Sequence, residues 1–561
     1  MPEQDRPSRP AGRSVSRGMT TTWSLIEPDE ARSTDPTTES SRRHVRTDPG
    51  VEADRPRVLA VLLGGIVSLL VAVRALVPGP IGLADDGGAV RYACQTGLTA
   101  ETAGGPRFFD FAILRWSVGD AATGSEGCPS HASSVTWLAG AFRWVAGLLG
   151  QDVVDLRVVS LLYAALCGLL VALVLLVIGG SVRRQVVVAT GLLLVVADAA
   201  FVGFAGSLYA ESTAVLGVLL LAAGLVLVDS RGPRAWAGLV VAVLGSALVT
   251  GARSTTAMLA VPVAIYVAIV WWRRGSRIDR RRWAARFLHH GVAVTAVLAL
   301  VAPAVWTVAG ESERARVAET WAMLTQRGLL DPEAASAELR STGLTPGAVD
   351  LATTSPTTFE SSDEREANAG VLRPSTVWSF LLAHPGRAVG ALDDAARDYL
   401  TPRPAGLGSY PVDSQMPPRA QENRVVVVSS VTGWFAGGGL IVLGAGWALV
   451  ALVGLRRARS TNTVASTRSA ARASLVLLAG SMLGTATVAF GVGVAPDRAV
   501  VPAVLSGLLA GVLLVASRPS GPSPVVAGLR WAASRGATAL SGASAALRES
   551  PARRGSDGAR R

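Results

Sequence analysis

Apolar residues fall along this chain in long runs, and the polar residues are gathered between them. Runs near 58–77, 156–178, 186–201, 211–228, 237–250, 255–272, 287–309, 425–455, 473–492 and 500–516 carry few charges. A hydrocarbon core of about 30 Å is crossed by a helix of about 20 such residues. The pattern therefore predicts an all-α polytopic transmembrane helical bundle of about ten spans. One further stretch, 131–150, mixes Trp137, Leu138, Phe142, Trp144 and Val145 with His131 and Arg143. It reads as an amphipathic helix lying on or re-entering the outer leaflet.

Between the runs lie two long polar segments, about 78–155 and 310–424. The second is too long for a structureless connection and should carry its own helices, with candidates at 311–327 and 375–400. Between them, 353–366 is rich in Ser and Thr and reads as a mobile loop. Residues 1–57 have little to bury and should form a disordered cytoplasmic tail, with Met1 or Met19 as the start. The organisation is thus a tail (1–57), a transmembrane core with the first outer segment (58–309), a large outer segment (310–424), C-terminal helices (425–516) and a basic cytoplasmic tail (517–561).

Half of the 561 residues are hydrophobic and the mean hydropathy is +0.40, which excludes an ordinary cytosolic protein. The chain has no lysine, so all 53 basic side chains are arginines, against 41 acids, for a net charge of +12. Arginine placement reports topology. With 131–150 on the surface, Arg183, Arg184, Arg231, Arg234, the cluster from Arg273 through Arg286, and Arg456, Arg457 and Arg459 all face the cytoplasm. Counting that stretch as a span would turn them all outward, against the positive-inside rule. No zinc finger, RNA-binding signature or basic helix with interleaved aromatics is present, so nucleic acid is not an expected partner.

Of three cysteines, Cys167 lies in an apolar run, whereas Cys94 and Cys128 share the first outer segment, where an oxidising exterior permits a disulfide between them. Gly437-Gly-Gly439 lies within an apolar run and reads as close helix packing. Arg74, near the outer end of the first run, is expected to snorkel to the headgroups.

Ionisable groups at membrane boundaries are costly and so carry information. Four sites of this kind map to the outer face: Asp85-Asp86 after the first span; Asp198 and Glu211 around the turn between spans three and four; Arg253 between spans five and six; and Asp497-Arg498 before the last. Each turn alone suits helix capping. Together, acids and arginines converging on one face suit a site for a phosphorylated ligand. Adjacent carboxylates can hold one member as a general base for a hydroxyl, or share a divalent cation, Mg2+ or Mn2+, for which Asp86 and Glu211 are the candidate ligands. Arginines nearby can hold a phosphate leaving group.

At these residues the chain resembles the GT-C superfamily of integral-membrane glycosyltransferases, which use polyprenyl-phosphate-linked sugars. Pro129-Ser-His-Ala-Ser-Ser, Ser207-Leu-Tyr-Ala-Glu211-Ser and Leu381-Leu-Ala-His-Pro-Gly-Arg387 are similar to the actinobacterial glycan-biosynthesis hexosyltransferases within it. The resemblance is best over 58–309. It implies Asp85 as catalytic base, with Asp86 where many members have Glu, and Glu211 as the second acid, binding a metal or orienting the acceptor. It implies Arg498 at the donor phosphate, although Ala499 stands where the family often has Tyr. Arg253, His131 and Tyr209 complete the candidate substrate-binding set.

The expected function is that of an inverting hexosyltransferase. It would act at the outer face of the plasma membrane, from a polyprenyl-phosphate-sugar donor to a cell-envelope glycan or glycolipid, with both termini cytoplasmic. A lipid-linked sugar flippase, or a glycan polymerase or ligase, is the alternative.

Overall fold

The computed structural model describes residues 49–101, 110–119, 133–276, 283–325, 335–355, 358–359, 362–460, 465–491 and 495–518. Among them, nine helices are long and apolar enough to cross a membrane: Pro56–Leu76, Arg157–Ile178, Ala210–Val228, Pro233–Thr250, Ser254–Ser276, Trp283–Ala309, Ala436–Arg459, Ala465–Gly491 and Pro496–Ala516. A tenth, Val182–Val196 with Ala199–Gly206, is bent by 52°. Counted as the third span, it gives the ten expected. All-α is the class, as the apolar pattern required.

Asp198 makes the bend. It caps the short helix Ala199–Val202 by accepting from the Ala200 N–H at 3.0 Å, and its other oxygen accepts from the Val428 N–H at 2.8 Å. Fully buried, it caps one helix and ties down the chain at the start of another, Val427–Gly433. Asp198 is therefore a structural acid, and the outer-face grouping inferred from sequence loses this member.

The fourth span is the axis of the bundle, with 94% of its apolar window buried. Glycines let the fifth span lie against it: a Cβ on Gly224 would stand 2.4 Å from the Ala242 nitrogen, and one on Gly245 would stand 2.4 Å from the Leu221 nitrogen. Glu211 sits in the first turn of this central helix.

The run at 425–455 is not one span. It divides into Val427–Gly433 and Gly439–Arg459, with the break at Gly437-Gly-Gly439. Gly439 takes a φ of 44°, and a Cβ there would meet Asp393 Oδ1 at 2.1 Å. The same oxygen accepts from the Leu440 N–H at 2.8 Å. These glycines therefore serve a capped break, and Gly439 also lets the segment carrying Asp393 approach closely, as the packing reading expects.

The stretch read as a surface helix is Ser134–Leu148, too short to cross, with Trp144, Leu148 and Leu149 exposed. His131 lies outside the described residues. Ser133 caps the helix and donates to the Ala252 carbonyl at 2.8 Å, while Ser134 donates to the Leu248 carbonyl at 2.7 Å. The helix thus starts against the turn that carries Arg253.

Short strands were not legible in the sequence. β1 (Gly82–Leu83) pairs antiparallel with β5 (Leu407–Ser409), and β2 (Leu98–Ala100), β3 (Arg115–Val118) and β4 (Val153–Asp155) form a three-stranded sheet. None is long enough to show an alternating pattern. Cys94 is disulfide-bonded and Cys167 is free. Cys128, the expected partner of Cys94, lies outside the described residues.

The long polar segment carries helices as expected, including Glu313–Thr325, Pro374–Ala383 and Pro385–Leu400. The expected 375–400 helix breaks at His384, before Pro385. These helices share a core of their own around Trp321, Leu324, Phe359 and Phe380. Within the 353–366 stretch, expected to be mobile, Phe359 is fully buried and stacked on Trp321 at 3.8 Å, while residues 356, 357, 360 and 361 lie outside the described residues.

Arg74 does not snorkel. It is 5% exposed and pairs with Glu422 at 3.4 Å, because Glu422 is held in place by Arg424 at 2.7 Å and by the Tyr410 hydroxyl at 3.0 Å. Burial alone would raise the Glu422 pKa, but the Arg424 backbone N–H, the arginines and Tyr410 outweigh it and hold the carboxyl low. The clamp fastens the end of the first span to the chain beside β5.

Candidate functional site

Asp85-Asp86-Gly87-Gly88 follows β1 and opens the helix Gly88–Gln95. Gly87 takes a φ of 80°, a conformation that favours glycine. Its N–H donates to Asp85 Oδ1 at 2.9 Å, and the Gly88 N–H donates to Asp86 Oδ1 at 2.8 Å. A Cβ on Gly88 would lie 2.9 Å from both Asp86 Oδ1 and Tyr209 Cε1. Two acids followed by two glycines therefore make a turn that binds its own carboxylates and lets an aromatic ring approach.

The Ser207–Glu211 motif docks on that turn. The Leu83 N–H donates to Ser207 Oγ at 2.7 Å, and the Tyr209 hydroxyl donates to Asp86 Oδ1 at 2.8 Å while accepting from the Asp86 N–H at 3.2 Å. Burial and the neighbouring Asp86 push the Tyr209 pKa up, so the hydroxyl stays protonated. Gly206 makes the docking possible, since a Cβ there would fall 2.1 Å from the Ile81 carbonyl oxygen.

Two acid–arginine pairs sit side by side. Arg498 Nη2 lies 2.5 Å from Asp86 Oδ2, and Arg253 Nη1 lies 2.9 Å from Glu211 Oε1. Glu211 is 3% exposed, and its charge acts on Arg498 as well. Arg498 also stands over the Tyr209 ring, 5.5 Å from the centroid, so an aromatic partner is present although Ala499 follows the arginine. Burial raises the Asp86 pKa, but Arg498, the Gly88 N–H and Tyr209 outweigh it and hold the carboxyl below its ordinary value. Asp85 differs from Asp86: among the described residues its carboxylate meets only the Gly87 N–H and no cation.

The structure thus brings together Asp85, Asp86, Tyr209, Glu211, Arg253 and Arg498. Asp497, next to Arg498, makes no ion pair among the described residues. Asp86 and Glu211 each face a guanidinium, and among the described residues no three His, Cys, Asp or Glu side chains are grouped to hold a metal. These donors do not fit the divalent cation expected between Asp86 and Glu211.

Sequence reading missed three contributors. Tyr92, one turn into the Gly88–Gln95 helix, hydrogen-bonds Arg253. Glu319 in the long segment acts electrostatically on Arg253, and Glu311 accepts from Ser254 Oγ at 3.4 Å. Burial, together with Glu319, raises the Glu311 pKa. All three reach the site only through tertiary packing, which no local sequence pattern signals.

A ten-span helical bundle with a charged constellation at one end and helical segments packed over that end is a polytopic membrane protein. The chain belongs to the YfdI N-terminal transmembrane domain family, whose model matches residues 45–495. No curated protein matches the chain.

Proposed function

We propose that the protein is a GT-C-type hexosyltransferase that moves a hexose from a polyprenyl-phosphate donor to a cell-envelope glycan or glycolipid at the outer face of the plasma membrane. The observation that carries this reading is the asymmetry of the acidic pair: Asp86 is committed to Arg498, whereas Asp85 beside it meets no cation among the described residues. Membership of a glycosyltransferase-like membrane family supports it.

In this reading Asp85 accepts the proton of the acceptor hydroxyl. That oxygen attacks the anomeric carbon, and the carbon–oxygen bond to the phosphate breaks with inversion. Polyprenyl phosphate leaves as an anion, so a base and charge stabilisation suffice. Arg498 and Arg253 meet the leaving phosphate, and Asp86, Tyr209, Glu211 and Tyr92 hold the two guanidinia in place. The bundle end that carries the site faces outward, both termini are cytoplasmic, and the arginine-rich loops lie on the cytoplasmic side.

The test is mass spectrometry of envelope glycans from a deletion strain complemented with wild type, Asp85→Asn or Glu211→Gln. A glycan that is intact but lacks one sugar, in both the deletion and the Asp85→Asn strains, supports the transferase. Full complementation by Asp85→Asn overturns it. Loss of the whole glycan from the surface moves the flippase or polymerase reading ahead.

A further inference from the structure

At the end of the bundle away from the acidic site, arginines from three spans meet. Arg184 near the start of the third span donates to the Ala516 carbonyl, and Arg457 in the last turn of the eighth donates to the Leu514 carbonyl. Arg457 also donates to Ser517 Oγ at 3.1 Å, and Ser517 is fully buried. Arg518 follows directly on the tenth span, and both its charge and that of Arg184 act on Arg457.

These contacts explain part of the arrangement. Arginines near a helix C-terminus satisfy its last carbonyls and complement its dipole. Among the described residues, however, no carboxylate pairs with Arg457 or Arg518. A half-buried guanidinium beside two like charges is unfavourable unless an anion joins it. With five N–H donors, Arg457 has capacity beyond its two recorded acceptors.

We infer that Arg184, Arg457 and Arg518 form a binding site for the phosphate group of an anionic membrane lipid. Arg184 and Arg457 both reach carbonyls at the end of the tenth span, so the three helix ends lie together, and basic recesses between spans bind anionic headgroups. Apolar side chains on the same helices, Val186, Leu452, Leu455 and Val515, are exposed just beyond the arginines, so that acyl chains have a surface to follow. That last feature favours a lipid over free phosphate. The inference is independent of the chemistry proposed for the acidic site.

The experiment is native mass spectrometry of the full chain in neutral detergent, titrated with phosphatidylglycerol or phosphatidylcholine. Wild type should retain one phosphatidylglycerol in preference to phosphatidylcholine. Arg457→Gln/Arg518→Gln should weaken that retention about tenfold or more, from the lost charge-assisted hydrogen bonds, and Arg459→Gln should leave it unchanged. Arg518 is exposed, and among the described residues its one hydrogen bond is through its backbone N–H, so Arg518→Gln alone keeps the fold and should still weaken binding. Equal retention by wild type and both variants overturns the site. Displacement of the lipid by inorganic phosphate alone overturns the lipid as its occupant.

Discussion

Replacing Asp86 by Asn removes one charge and keeps the side chain's shape. The amide oxygen still accepts from the Gly88 N–H and the Tyr209 hydroxyl, both 2.8 Å from the present oxygen. What is lost is the ion pair with Arg498 Nη2 at 2.5 Å, between side chains 17% and 15% exposed. Breaking a fully buried pair costs about 3–5 kcal/mol and losing an exposed one about 0–1 kcal/mol. This pair lies between those limits, and Glu211 still acts on Arg498, so a loss of about 2 kcal/mol is expected. The same change at Asp85 should stay within about 0.5 kcal/mol, because Asn accepts equally well from the Gly87 N–H and no cation is abandoned. Thermal unfolding of the purified protein in detergent, followed by tryptophan fluorescence, measures both. Asp86→Asn should melt several degrees below wild type and Asp85→Asn beside it. Equal melting of the two variants would refute the division of labour between the two acids, whatever their activities.

Three more expectations follow from the same interactions. Burial raises the Glu311 pKa, so its charge opposes folding above the folded pKa and not below the ordinary value of 4.5. Glu311→Gln should therefore raise the melting temperature at pH 7, with the gain vanishing in acid. Asp86 and Glu422 have depressed pKa values, so their contribution is present above the ordinary 3.8 and 4.5 and is lost as the pH falls through the folded values. Stability should accordingly fall away below about pH 4, less steeply in Asp86→Asn, and a pH-independent melting curve there would contradict the linkage. Phe359→Ala removes a fully buried ring stacked on Trp321 and should cost about 3–5 kcal/mol locally, read as faster proteolysis within 310–424. Unchanged cleavage would mean that the stack does not hold that segment together.

The spans were legible because apolar runs of membrane length have few other uses. Five of the six residues at the heart of the site were legible because charges at span ends are costly, and Tyr209 came with the motif it belongs to. The exceptions share a cause. Asp198 looked like a member of the site, yet whether an acid caps a helix or faces a ligand depends on which N–H groups the fold brings to it, here those of Ala200 and Val428. Arg74 looked like a snorkelling side chain because its partner, Glu422, lies far along the chain. The order within the acidic pair was a matter of resemblance until the positions of Arg498 and Tyr209 distinguished the two carboxylates. Strands of two to four residues, such as β1 and β5, are fixed by the segments they join and leave no pattern of their own.

The partnership of Asp86 with Arg498 also bears on the order of assembly. A chain made from its N-terminus threads the first span early and the helix bearing Arg498 last. Throughout that interval the acidic turn lacks its principal cation, and β1 lacks β5 until the long segment has been made. The turn is therefore completed only when the tenth helix has been inserted. In a partly made or prematurely terminated chain Asp86 would stand beside the first span without Arg498, as Asp85 does in the finished protein.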